Sequence, residues 1–294
     1  MATLRDIRQR IVGVKNTQKI TKAMKMVAAA KLRRATDAIT QARPYSRKMA
    51  ELLGYLVGKT DTTKFPEMEV RTAQNVAIVV ITADRGLCGA FNTNVIKMAV
   101  NHINTKHAEK YAAGNVKIIC VGKKSFEFFS KRKYNVVGKH VGIFNGLNFS
   151  TAKTIATEII GGFLQGEYDT VEIVSNEFKS AAQQKLVVEQ ILPIVPAKVN
   201  AKAYAGVDYI YEPSSDEIIS TLVPKHLNFQ IWRVLLDSNA AEQGARMAAM
   251  ENASTNAKEL IRVLQLTYNK ARQAAITKEL LEIVSGAEAL KKAG

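Results

Sequence analysis

LRDIRQRIVGVKNTQKITKAMKMVAAAKLRRATDAITQA, residues 4–42, is the stretch that decides the fold. Its apolar and small positions step by three and four: Leu4, Ile7, Ile11, Val14, the weaker Gln18 and Thr21, Met24 or Lys25, then Ala28, Leu32, Ala35, Ile39 and Ala42. That is the 3.5-residue period of a left-handed coiled coil, with Leu4, Ile7, Ile11, Val14, Ala28 and Leu32 as its plainest seam positions. Little between residues 3 and 59 would stop a helix, and the same holds from about Lys225 to Ala289. At about 1.5 Å per residue these segments would run roughly 80 and 95 Å, too long to be tucked into one core. Because they lie at opposite ends of one chain, an antiparallel pair is the simplest closure.

Charge follows the same division. The chain of 294 residues carries a net charge of +16, and thirteen Lys and Arg fall between residues 4 and 48 against only Asp6 and Asp37. A solvated coiled-coil flank normally carries both signs, so this basic ridge asks for an acidic partner surface. A hydrophobic content of 47% excludes general disorder. The longest apolar run, residues 76–83, is far short of the roughly 20 residues that cross a bilayer. Cys88 and Cys120 show no CxxC spacing, so disulfide and zinc readings are disfavoured and a reducing cytoplasm is the simpler home.

Between the helices the pattern changes. Gly54 to Gln74, with Gly58, Pro66 and several threonines, reads as a linker. Strands are expected at residues 76–82, 116–121, 134–138, 170–178 and 185–194, and helices at 92–107, 123–131 and 151–165, the last capped by Ser150. Strand and helix alternate, which predicts a Rossmann-like α/β domain with a mainly parallel sheet and one antiparallel edge. The domain boundaries implied are 1–59 for the first helix, 60–74 for the linker, 75–212 for the α/β domain and 213–294 for the C-terminal helices. There, Ser214-Ser215-Asp216-Glu217 forms a capping box for a short helix that Pro224 ends, Pro224 then opening the long one. Further on, Leu260, Leu264 and Ala271 mark one apolar face, and Ile276, Leu280, Ile283 and Ala287 another. A helix apolar on several faces is covered on several sides, so its tip calls for a socket made by other chains.

Catalytic and cofactor signals are weak. Gly86 and Gly89 in Asp84-Arg85-Gly86-Leu87-Cys88-Gly89 supply only part of a GxGxxG fingerprint, and no GxxxxGK[ST] occurs. His102, His107, His140 and His226 read as scattered, and no GxSxG or HExxH is present. No catalytic residue, metal ligand or cofactor is expected.

Three stretches carry a family resemblance: Ile20-Thr21-Lys22-Ala23-Met24-Lys25-Met26-Val27-Ala28, Asp84-Arg85-Gly86-Leu87-Cys88-Gly89 and Tyr268-Asn269-Lys270-Ala271-Arg272-Gln273-Ala274-Ala275-Ile276-Thr277. Together, and in this order, they resemble the gamma subunit of F-type ATP synthases, in its bacterial form without the cysteine-bearing insertion. The resemblance implies a central rotor shaft in an α3β3 head, with the epsilon subunit and the c-ring as further partners. It implies a peripheral location on the cytoplasmic face of the inner membrane, with no transmembrane segment. It also implies that Met24, Lys25, Arg272, Gln273, Thr277 and Glu279 face the catalytic β subunits, although Met24 reads equally as a seam residue. Two alternatives from other classes are a basic coiled-coil nucleic-acid binder, marked by steep salt dependence, and a nucleotide-dependent α/β enzyme. Neither accounts for two terminal rods.

Overall fold

A computed structural model describes residues 3–57, 64–181, 183–195, 211–212 and 214–293. Part of the expected linker (60–63) and residues 196–210 of the expected α/β segment lie outside them. The chain forms α1 (Leu4–Val57), β1 (Val76–Ile81), α2 (Phe91–Lys106), α3 (Ala108–Ala112), β2 (Val116–Val121), α4 (Lys123–Lys131), β3 (Val136–His140), α5 (Phe149–Leu164), β4 (Thr170–Phe178), β5 (Gln184–Leu192) and α6 (Ser215–Ala293). It divides into two compact units, one of residues 1–27 with 247–294, the other of residues 28–246. Both boundaries fall inside the long helices rather than in a linker.

The larger unit is built on a five-stranded sheet of order β3-β2-β1-β4-β5. β1 pairs parallel with β2 and β4, β2 parallel with β3, and β5 runs antiparallel along β4. All six residues of β1 are buried because both faces of the sheet are covered. On one face Ile78, Val80 and Val174 pack with Val95, Ala99 and Ile103 of α2 and Phe129 of α4. On the other, Val79, Ile81 and Ile173 pack with Ile155, Ile159 and Phe163 of α5, and with Leu53 of α1 and Ile219, Leu227 and Leu235 of α6.

Two local signals read differently in three dimensions. Pro224 lies inside α6, so the expected break between a short and a long helix does not occur. A proline in a helix interior costs about 3 kcal/mol, yet Ile219, Val223, Leu227 and Ile231 on either side of it are buried in one apolar cluster, which holds the helix through the missing hydrogen bond. α5 is capped by Asn148, whose side chain accepts from the Thr151 amide at 2.9 Å, instead of by Ser150. Ser214 does accept from the Glu217 amide, at 3.3 Å, as half of a capping box.

His226 sits buried on α6 with Nε2 2.8 Å from the Gln230 amide nitrogen, so the amide donates to a neutral ring. Burial, with the nearby Arg233 charge, pushes this imidazole down to about 4. A folded-state value below the ordinary one gives stability that is fully present above about pH 6.5 and lost as pH falls toward 4. The component amounts to roughly 3 kcal/mol. We expect His226→Gln to flatten this part of the acid limb in a thermal-unfolding series from pH 7 to pH 4; parallel wild-type and variant curves would remove His226 as the cause.

Candidate partner-binding surface

In the smaller unit α1 and α6 run antiparallel. Thr21 Oγ1 lies 2.7 Å from Ser254 Oγ, Gln18 donates to the Ser254 carbonyl, and Lys25 forms an ion pair with Glu251, so residue numbers rise on one helix as they fall on the other. Ile7 and Thr21 are buried here, and Leu4, Ile11, Val14, Gln18 and Met24 are half-buried. Facing positions on α6 follow the same steps of three and four: Met250, Ala257 and Ile261 are buried, and Ser254, Leu264, Tyr268, Ala271 and Ala275 are half-buried. Gln18 and Thr21, the weak points of the apolar pattern, are bonded across the pair to the small Ser254, which explains how polar side chains are accommodated in a seam.

Beyond Ala275 the cover stops. Ile276, Leu280 and Ile283 are 52%, 58% and 71% exposed, an unusual state for large aliphatic side chains three and four residues apart. At 100° per residue, Arg272, Ile276, Glu279 and Ile283 form one ridge of α6, and Gln273, Thr277, Leu280 and Val284 the ridge beside it. Arg272, Gln273, Thr277 and Glu279 are all exposed. The only side-chain bond given by these four among the described residues is local, from Thr277 Oγ1 to the Gln273 carbonyl at 3.0 Å. The surface therefore offers apolar area flanked by a guanidinium fork, an amide and a carboxylate, a combination suited to a protein partner. Met24 and Lys25 are partly taken up within the helix pair, Lys25 by Glu251.

The larger unit answers the nucleotide question. In an open α/β sheet, ligands bind beyond the carboxyl ends of the strands where the strand order reverses, here between β1 and β4. That place is filled by α6. Ala241 packs with Ala83, Cys88 and Phe91, Gly244 lies against the Ala181 carbonyl, and Arg246 donates to the Gly86 carbonyl at 2.5 Å and to Glu242 at 2.6 Å. The glycine loop expected from sequence as a partial nucleotide fingerprint thus holds a helix. Asp84, in the same loop, is spent on backbone amides, accepting from Lys123 at 3.0 Å and Gly142 at 2.8 Å.

Comparison with known proteins fits these features. A family model described as ATP synthase matches residues 3–290. The ATP synthase gamma chain of Chlorobium phaeobacteroides is 56% identical over 292 residues, covering 99% of this chain and 100% of the relative. The chain belongs to the ATP synthase gamma chain family. The gamma chain of Chlorobaculum tepidum is 55% identical, again over 99% of this chain and 100% of the relative. Among solved structures, a chain of the central stalk and c-ring of Tetrahymena thermophila mitochondrial ATP synthase matches with a TM-score of 0.59 and 28% identity, covering 80% of this chain and 99% of that one. A chain from Euglena gracilis mitochondrial ATP synthase shares the fold, with a TM-score of 0.68 at 22% identity over 98% and 94% of the two chains. As a gamma subunit the chain is part of ATP synthase, and no described helix is long and apolar enough to cross a membrane.

Proposed function

We propose that the paired helices of the smaller unit turn inside a ring of α and β subunits, with the exposed ridges of α6 from Arg272 onward seated against them. The single observation that carries this reading is the run of exposed aliphatic side chains beyond the point where α1 ceases to cover α6. Arg272, Gln273, Thr277 and Glu279, with Met24 and Lys25, supply the polar contacts to β, and the basic ridge of α1 faces acidic segments of β. The epsilon subunit and the c-ring are the further partners, and the subunit works at the cytoplasmic face of the inner membrane.

The mechanism follows from asymmetry. One shaft inside three chemically identical β subunits makes different contacts with each, so their states differ at any moment, and turning it permutes them. Moving a two-state site from 1:99 to 99:1 requires about 5.5 kcal/mol of differential contact, the worth of a few charge-assisted hydrogen bonds. Rotation driven by ion flow would thus be converted into ATP release, and ATP hydrolysis into rotation.

The test exploits the thiols. Cys88 and Cys120 are both buried, and burial pushes the Cys120 thiol up to about 12, so neither should label readily. Lys131→Cys, at an exposed position on α4, would then be the reactive site for a bead. Co-expressed with bacterial α and β subunits, this chain is expected at one copy per three β, and the bead to turn in one direction on addition of ATP. A complex with a different ratio, or one that hydrolyses ATP with a stationary bead, would defeat the reading.

A further inference from the structure

A group unrelated to the partner surface lies in the sheet of the larger unit. Glu172 points from near the start of β4 toward α2 and is 1% exposed. Its Oε2 is 2.7 Å from His102 Nε2 and 2.8 Å from His107 Nε2, and its Oε1 is 2.5 Å from Lys106 Nζ. His102 is on the last turns of α2. His107 follows the helix, its φ of −125° and ψ of 24° taking the backbone out of the α region. That departure lets two rings five residues apart converge on one oxygen, which a continuing helix would not allow. The rings meet edge to face, 5.2 Å between centres.

We propose that His102, His107 and Glu172 form a binding site for one transition-metal dication of the zinc class. One donor atom from each residue lies within 4.8 Å of the others. Zinc bonds of about 2.0–2.2 Å to nitrogen and oxygen in a tetrahedron require donor separations of roughly 3.3 Å, so the present 2.7 and 2.8 Å need widen only by about half an ångström. Two imidazoles and a single carboxylate oxygen select a borderline metal over Mg2+ or Ca2+, which demand oxygen shells. The imidazoles bind when Nε2 gives up its proton. Without a metal, each ring donates its Nε2 proton to Glu172 Oε2, and a dication would replace those two protons. His107 Nδ1 has no hydrogen-bond partner among the described residues, so that ring can carry its proton on Nδ1 once Nε2 is ligated. Lys106 holds the other carboxylate oxygen, leaving Oε2 for the metal, and its own side chain is 56% exposed and free to lean away. His102, with a side chain 14% exposed, marks the way in. The ion would fasten the end of α2 to β4.

The test uses the full chain, titrated with Zn2+ against a chromophoric chelator and with Co2+ followed by its visible ligand-field bands. One equivalent is expected, with tetrahedral Co2+ absorption. His102→Gln and Glu172→Gln should each weaken binding by about 1000-fold, above the 10- to 100-fold usual for outer-shell partners. Lys106→Met should tighten it about tenfold by removing a competing cation, a gain that poor folding cannot imitate. Absence of saturable binding to the wild-type chain, or an affinity unmoved by all three substitutions, overturns the proposal; were Glu172→Gln to fail to fold, the other two variants decide it.

Discussion

In Arg272→Glu, ATP-driven ion pumping by the assembled complex is expected to fall by at least about tenfold while ATP hydrolysis continues. Arg272 is exposed on the first turn of α6 that begins to outrun its cover, where a guanidinium can grip a carboxylate with two parallel bonds. Hydrogen bonds to charged groups contribute about 1.5–3 kcal/mol each, and 1.4 kcal/mol is a factor of ten. Reversal replaces attraction with repulsion in every rotational position that uses the contact, so coupling suffers more than with a neutral substitution. Pumping measured by a fluorescent proton probe in inverted vesicles, with subunit ratios checked by gel, separates coupling from assembly. Wild-type pumping by a fully assembled variant would take Arg272 off the contact surface.

The second large effect is on stability. Gly122 ends β2 and opens α4 with φ at +97° and ψ at 147°, a region essentially restricted to glycine. A Cβ there would stand 1.9 Å from the Thr82 carbonyl oxygen and 2.7 Å from its carbon. Those are backbone atoms at the carboxyl ends of the central strands, tied to the neighbouring strand: Thr82 donates to Val121 at 2.8 Å, and Gly122 itself donates to His140 at 2.7 Å. Neither can retreat without parting β1 from β2. Gly122→Ala is expected to destabilise the larger unit by about 4 kcal/mol or more, read as a lowered urea midpoint by circular dichroism. A loss below about 1 kcal/mol would mean that the turn relaxes in a way the geometry does not suggest.

Much of the architecture is legible in the chain because its signals are local and strong. The β-branched runs at 76–81 and 116–121 read as strands because both faces of the sheet are covered and only Lys117 interrupts them, and 170–178 is legible from Val171, Ile173 and Val174 despite its polar residues. The three-and-four stepping of α1 likewise needs no tertiary information. What failed to show was decided by packing. Gly54 opens the punctuated stretch, but the helix expected to residue 59 does run through it to Val57, where residues 53–57 are buried. Pro224 reads as a stop, yet buried neighbours on both sides carry the helix past it. The four histidines read as scattered; His102 and His107 are united only by a glutamate some 65 positions away and by a backbone turn that no spacing rule contains. The exposed ridges after Ala275 are a mixed case. Their composition is visible in sequence, but that α1 leaves them bare is known only from where the antiparallel register ends.

The helix that fills the mouth of the sheet carries a mechanical implication. Ala241, Gly244 and Arg246 are keyed into the segments that follow β1 and β4 as a spline is keyed into a hub. A fold that elsewhere accommodates a soluble metabolite has here surrendered that vacancy to a rigid joint. Torsion applied to α6 within this unit is handed on to the loops that end the central strands.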